Sequence, residues 1–269
     1  MATPQAVEDK KLVHYGVEDG VAILELDDPP ANTYSYEMMQ QLDAAILRAR
    51  MDESVHVLLL RGKGEKFFCA GASIPMLTQA GSSFKYYFCL HANETLCRLE
   101  QTPKLVIAAL NGHTVGGGLE IAMTCDIRLA KKNGGKIGLP EVNLGVLPGT
   151  GGTQRLTRLV GRAKAIELMA TGQTFSFEDA LEHGLVNQIL ETTTFWGDAM
   201  AYAKQFCPPK KASHAVGLMK RAVVTGSEVG FAEALGLERE LQQQLFTSED
   251  AKEGLKAYVE KRQPVFKGK

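Results

Sequence analysis

Two glutamates stand where a carboxylate is costly. Glu120 follows three glycines in Asn111-Gly-His-Thr-Val-Gly-Gly-Gly-Leu-Glu120 and leads into the apolar run Ile121-Ala-Met123. Glu141 follows Pro140 in Gly138-Leu-Pro-Glu-Val-Asn-Leu-Gly145. A carboxylate in apolar company must be paired, hydrogen-bonded or neutral. Two that face each other can divide the work, one keeping a proton and the other accepting one. Taken singly, each has a plainer reading, Glu120 as a helix-capping residue and Glu141 as a solvated loop residue.

Two small-residue turns accompany them. Phe68-Cys-Ala-Gly-Ala-Ser-Ile74 follows a buried-strand pattern, and Gly116-Gly117-Gly118 opens a helix pattern. Glycines at a helix start let the backbone approach another group closely. The first N–H groups of that helix are unpaired and lie at the positive end of its dipole. Such a place binds an anion or stabilises a developing oxyanion. It equally suits two backbones packed against each other, and spacing leaves both readings open. Neither turn is a nucleotide motif, because GxxxxGK[ST] and a strand-to-helix GxGxxG are absent. GxSxG is absent too, which excludes the usual hydrolase nucleophile. Gly149-Thr-Gly-Gly-Thr-Gln-Arg155 reads as a tight turn into a helix.

The elements that must position these residues follow from hydrophobic periodicity. Lys11–Tyr15 and Val21–Leu26 read as a hairpin about Glu18-Asp-Gly20. Ser35 can cap a helix carrying Met38, Met39, Leu42 and Ile46. Val55–Leu60 suits a strand buried on both faces, and Leu105–Ala109 is the next. A helix spans 83–100, and Ile127–Ala130 and Lys136–Gly138 are short strands. From Gly151 the pattern turns helical, with only Leu185–Ile189 as a strand. The tail 230–260 reads as almost entirely helical, with Phe231, Leu235, Leu241, Leu245, Leu255 and Tyr258 on an apolar face. The expected fold class is therefore α/β, an α/β core at 1–200 followed by a helical region at 201–269, with a soft boundary near Cys207-Pro-Pro209.

Composition bounds the function. The chain has 269 residues, 45% hydrophobic and 23% charged, with a formal net charge of -1. That is a globular composition with no bias toward nucleic acid. No stretch is long and apolar enough for a transmembrane helix. Met1–Lys10 has no apolar signal core, so a cytoplasmic setting is expected; a mitochondrial matrix protein whose presequence has been removed would read the same way. The 5 cysteines form no CxxC, and the 6 histidines form no HxxxH or HExxH, so no metal site is expected.

The ordered set of Phe68–Ile74, Asn111–Glu120, Cys125-Asp-Ile-Arg-x-Ala130, Pro140-Glu-x-x-Leu-Gly145 and Pro148-Gly-x-Gly-Gly-Thr-Gln-Arg-Leu156 resembles the enoyl-CoA hydratases of the crotonase superfamily, from about Leu12 to the last residue. The resemblance implies a spiral of ββα units and a C-terminal helical region that builds homotrimers, often paired into hexamers. It implies a CoA thioester substrate, with no separate cofactor, whose carbonyl oxygen sits between the N–H groups of Ala72 and Gly117. Glu120 and Glu141 match the two catalytic glutamates. CoA would lie along Ala31 and the turn Ala70, Gly71, Ser73 and Ile74, approached by the terminal segment with Phe266 and Lys269.

That chemistry explains the residue types. Water attacking Cβ of a conjugated thioester pushes charge onto the carbonyl oxygen, which two N–H donors stabilise. Glu120 would take the proton of the water and Glu141 would deliver one to Cα. Three departures from the family pattern stand out: Ser73 replaces a usual Asp, Lys131–Gly135 is slightly longer, and Thr33-Tyr34 replaces a commoner Ala-Leu. Tyr34 reads as a packing residue. The alternatives are an isomerase or a dehydratase of a branched or carboxylated acyl-CoA. A non-catalytic acyl-CoA or RNA binder is a further rival, its basic surface resting on Lys131-Lys132, Lys210-Lys211 and Lys220-Arg221.

Overall fold

The computed structural model describes residues 10–269; Met1–Asp9, the stretch read for a signal core, lies outside the described residues. The chain opens with a hairpin, β1 (Val13–Glu18) and β2 (Val21–Leu26), paired from Val13 opposite Leu26 to Glu18 opposite Val21. Helix α1 (Tyr36–Met51) follows, and the Ser35 side chain accepts from the Met38 N–H at 3.3 Å, the cap expected from the sequence.

A unit then repeats. β3 (Val57–Gly62) and β4 (Phe67–Cys69) precede α2 (Ile74–Gln79) and α3 (Ser82–Glu100). β5 (Leu105–Leu110) and β6 (His113–Val115) precede α4 (Gly117–Met123). β7 (Ile127–Lys131) and β8 (Lys136–Gly138) precede a 3-10 turn (Glu141–Leu144), α5 (Gly152–Val160) and α6 (Arg162–Thr171). The first strand of each pair joins one sheet and the second joins another. β9 (Phe175–Ser176), α7 (Phe177–Glu182) and β10 (Gln188–Leu190) close the sheets. The result is a 6-stranded sheet of order β1-β2-β3-β5-β7-β10 and a 4-stranded sheet of order β4-β6-β8-β9. Beyond the hairpin the large sheet is parallel. This is the ββα spiral that the resemblance implies.

Alternation places the core. Leu58 and Leu60 of β3, with Val106, Ala108 and Leu110 of β5, face one apolar layer containing α1, α3 and α4. Val57 and Leu59, with Leu105, Ile107 and Ala109, face the other. Both faces of β3 are buried, as its continuous apolar run requires. The second layer is covered by α8 (Phe195–Lys204) through Phe195, Ala199, Met200 and Ala203, with Cys207 beyond it. Residues 201–204, assigned from the sequence to the C-terminal region, thus continue a helix of the core.

The remaining helices are α9 (Ser213–Gly226), α10 (Phe231–Phe246) and α11 (Glu249–Val259). The tail is almost entirely helical, as expected, and is divided into two helices where Ser248 leaves α10 and caps α11 by accepting from the Ala251 N–H at 3.0 Å. The basic clusters separate as well. Lys131 is buried against Glu65 at 2.8 Å and Lys220 against Asp126 at 2.9 Å, so neither is solvated surface. Among the described residues, no helix is long and apolar enough to cross a membrane.

The Lys220–Asp126 pair ties α9 to the sheet, since Asp126 also accepts the Val106 N–H at 2.7 Å. Lys220→Met leaves that carboxylate buried without its cation, which typically costs about 3–5 kcal/mol. Urea denaturation should show a loss of this size, and an unchanged midpoint would contradict the role given to the pair.

Candidate active site

The site begins where β4 and β6 end. Gly71 (φ +91) lies so close to the start of α4 that a Cβ on it would sit 3.1 Å from the Gly117 nitrogen. The contact sets the turn Ala70–Ser73 beside the glycine triplet. Gly117 is the first residue of α4, so its N–H has no partner within the helix. Tyr34 donates its N–H to the Gly71 carbonyl and accepts the Ser73 N–H, both at 2.9 Å. Ala72, between them, pairs with Tyr34 in an isolated parallel bridge. Among the described residues, neither the Ala72 nor the Gly117 N–H donates to backbone outside the regular elements. The structure therefore brings together the two donors named from the sequence.

The triplet serves both readings that its spacing left open. Gly116 caps the helix at φ 58, in the positive-φ region. A Cβ on Gly118 would meet the Cys69 carbonyl oxygen at 2.0 Å, so this glycine is there for close packing. A Cβ on Gly117 would meet the Tyr34 ring and hydroxyl at 2.4 Å. Backbone packing and a free N–H thus come from one three-residue segment.

Glu120 projects from the first turn of α4 and is buried. Its Oε1 accepts the backbone N–H groups of Thr150 at 2.8 Å and Gly152 at 2.7 Å, and its Oε2 accepts the Thr150 hydroxyl. Burial raises its pKa above the ordinary carboxylate value, and these three donors and the Arg155 charge work in the opposite direction. Arg155 grips Glu100 of α3 with two nitrogens, at 3.1 and 2.9 Å, and donates to the Thr150 carbonyl at 3.2 Å. That clamp holds the Thr150 loop in place.

Glu141 opens the 3-10 turn beyond β8, and β8 is tied to α4 by the Gly116 N–H donating to the Gly138 carbonyl at 2.9 Å. A Cβ on Gly116 would meet Glu141 Oε1 at 3.0 Å, so this carboxylate borders the triplet. Its Oε2 is buried without a hydrogen-bond partner among the described residues. Burial first, and the charge of Glu120 in addition, push its pKa up to about 7, against a single lowering contact with its own backbone N–H. The pair is therefore unequal. Glu120 has donors that favour the ionised form, and Glu141 sits where the neutral form is comfortable.

Ala31 and Ala70 lie side by side, with the Ala70 N–H on the Ala31 carbonyl at 3.0 Å. Asn32 fixes that loop by donating to the Lys63 and Phe67 carbonyls, both at 3.0 Å. Ser73 caps α2, accepting from the Met76 N–H, and Ile74 is exposed at the first position of that helix. Serine thus fills the capping role open to an aspartate there. The structure does not bring Phe266 and Lys269 to this site. Phe266 donates its N–H to the Pro209 carbonyl, and Lys269 lies toward Glu53 near His56, at the edge where β3 begins. The donors and active turns lie beyond the opposite ends of the strands. Sequence reading missed Thr150 and Gly152, whose glycine-rich segment was taken only as a turn; the same segment supplies the donors to Glu120.

The enoyl-CoA hydratase/isomerase family model matches residues 16–269. The chain belongs to that family. A short-chain-enoyl-CoA hydratase of Clostridium acetobutylicum is 39% identical over 91% of this chain and 93% of its own. A probable enoyl-CoA hydratase of Bacillus subtilis is 36% identical over 95% of this chain and 98% of its own. Among solved structures, an enoyl-CoA hydratase from Geobacillus kaustophilus superposes with a TM-score of 0.94 at 45% identity, covering 97% of this chain and 98% of that one. With relatives of this kind along nearly its whole length, the chain is an enzyme of the hydratase class.

Gly117→Ala tests the donor geometry. The added methyl must displace the Tyr34 phenol or tilt the first N–H of α4. Loss of one such donor typically costs about 100- to 1,000-fold in kcat. Steady-state kinetics on a folded variant should show this drop, and near-normal kcat would remove Gly117 from the oxyanion role.

Proposed function

We propose that this enzyme adds water across the 2,3 double bond of a 2-enoyl-CoA thioester to give the 3-hydroxyacyl-CoA. The observation that carries this reading is the unequal pair of carboxylates, Glu120 buried and Glu141 half-buried, beside two backbone donors. The thioester oxygen would lie between the Ala72 and Gly117 N–H groups, which stabilise the charge formed as water attacks Cβ. Ionised Glu120 takes a proton from that water, and protonated Glu141 delivers one to Cα. The CoA portion would run along Ala31 and the turn Ala70, Gly71, Ser73 and Ile74. Phe266 and Lys269, docked against Pro209 and toward Glu53, would approach a CoA from another copy of the chain. The reaction as written uses no metal, flavin or nicotinamide. Among the described residues, no group of three or more His, Cys, Asp or Glu is placed to hold a metal. The bacterial relatives named above and the 5 cysteines support a cytoplasmic setting.

A homotrimer, or a pair of trimers, is the assembly we propose. Leu241 is buried within the tail, but Phe231 is 80% exposed, Leu255 63% and Tyr258 85%, an apolar surface that suits burial by another copy. Light scattering at micromolar concentration should give the mass of three chains or six, and a stable monomer would exclude both.

Glu120→Gln and Glu141→Gln should each lower kcat for crotonyl-CoA hydration by about 100- to 10,000-fold with little change in KM. Their combined effect should fall short of the product of the two, because groups acting as a unit are non-additive. A near wild-type rate for either variant would refute the assignment. Double-bond migration persisting without Glu120 would point to an isomerase instead.

The pH dependence has a defined sign. A pKa raised to about 7 keeps Glu141 protonated below neutrality, and the acid form disappears as pH rises through that value. The hydration rate should therefore fall on the alkaline side, with the two carboxylates titrating as a pair. Glu141→Gln should abolish that alkaline limb in whatever activity remains. A rate flat from pH 6 to 9 in the unmodified enzyme would contradict the role of Glu141.

A further inference from the structure

Tyr34 was set apart in the sequence as a departure from the family pattern and read as packing. The structure places it at the junction of the site's two halves. Its ring and hydroxyl pack against the side of Gly117 where a Cβ would stand, 2.4 Å from that position. Its hydroxyl also lies 3.3 Å from Thr150 Oγ1, and Thr150 Oγ1 contacts Glu120 Oε2. All three side chains are buried. The phenol ring packs on Phe88, 5.7 Å between ring centroids and tilted by 31°.

We propose that Tyr34 and Thr150 form a two-hydroxyl positioning relay for Glu120, which holds the base in its ionised form and follows its change of protonation. This rests on the reading of Glu120 as the base. The donor order is fixed by chemistry. An ionised carboxylate only accepts, so Thr150 must donate to Oε2, and its oxygen is then free to accept from the Tyr34 O–H. Oε1 already accepts two backbone N–H groups, whereas Oε2 accepts one hydroxyl. Oε2 therefore keeps an acceptor site for water.

During hydration the O–H bond of that water breaks, its oxygen bonds Cβ, and its proton settles on Oε2. No covalent bond of either hydroxyl changes. Once Oε2 carries the proton it is a poorer acceptor, and its hydrogen bond from the Thr150 hydroxyl weakens. A buried phenol suits this work, because burial and the nearby Glu120 charge hold its pKa well above the ordinary tyrosine value, leaving it protonated throughout the working range. The other charged or titratable groups that bear on this cluster are Arg155 of α5, Glu141 of the 3-10 turn, Cys69 of β4 and Cys89 of α3.

The test compares Thr150→Val, Thr150→Ser and Tyr34→Phe in crotonyl-CoA hydration, with kcat and KM measured across pH. A hydrogen bond to a charged group contributes about 1.5–3 kcal/mol, so its loss moves a pKa by about one to two units. Thr150→Val should displace the acid limb of the profile upward by about one pH unit or more and lower kcat at pH 6 by about tenfold, with KM little changed. Thr150→Ser should restore the normal profile. Tyr34→Phe should shift the limb in the same direction by less. A merely structural role predicts a fall in kcat at every pH with the limb unmoved, and that result would overturn the relay. So would a Tyr34→Phe profile identical to wild type, which keeps the test decisive if Thr150→Val does not fold. Glu120→Gln serves as the separate control. If it retains hydration, the assignment of the base itself fails, whatever the hydroxyl variants do.

Discussion

The close approach of two backbone segments underlies the whole site. Gly71 at the end of one ββα unit and Gly117 at the start of the next unit's helix come within the space of a single methyl group. Only that approach lets the Ala72 and Gly117 N–H groups serve one oxygen. The spiral supplies it, because β4 and β6 are parallel neighbours whose helices leave from the same end. The cost is borne by sequence at fixed positions: glycine at 71, 117 and 118, and no larger residue at any of them.

Around that fixed pair, electrostatics assigns the labour. Burial raises the pKa of both glutamates, although Glu120 is the more deeply buried. The difference lies in what the surrounding chain offers each carboxylate. The loop before α5 turns two N–H groups and a hydroxyl toward Glu120, and Arg155 holds that loop against α3. Glu141 receives only a weak local contact and keeps one oxygen unpartnered. The proposed base and acid are thus one residue type, distinguished by the distribution of donors.

The sequence was legible where periodicity or chemical type carries local information. The two-faced burial of β3 and the Ser35 cap could be read directly, whereas the glycine triplet and the two glutamates stood out by residue type while their roles were given only by the family resemblance. Thr150 was not legible, because nothing local says that a glycine-rich turn will fold back on a glutamate 30 residues earlier. Tyr34 looked like packing for the same reason, its partner lying 116 positions away. Lys220 resembled a surface lysine on an amphipathic helix, and only the tertiary pairing with Asp126 shows it buried. The break at Thr247–Ser248 was hidden because both flanking stretches have good helical composition, and the cap alone marks the division. The terminal Phe266 and Lys269 were placed by resemblance, and where a tail docks depends on contacts such as Asp250 accepting the Lys267 and Gly268 N–H groups.

That both proposed oxyanion donors, the Ala72 and Gly117 N–H groups, are main-chain groups has a bearing on how such an enzyme can change. Side-chain substitutions do not delete a backbone N–H, apart from proline or a residue too large for the approach. On the proposed reading, thioester activation is thereby insulated from most mutations. The groups proposed to decide which bond is made or moved are a few replaceable side chains: Glu120, Glu141, Thr150 and Tyr34. Drift or directed evolution can therefore explore new reactions at those positions while enolate stabilisation is inherited intact, a separation that makes this scaffold tolerant of functional change.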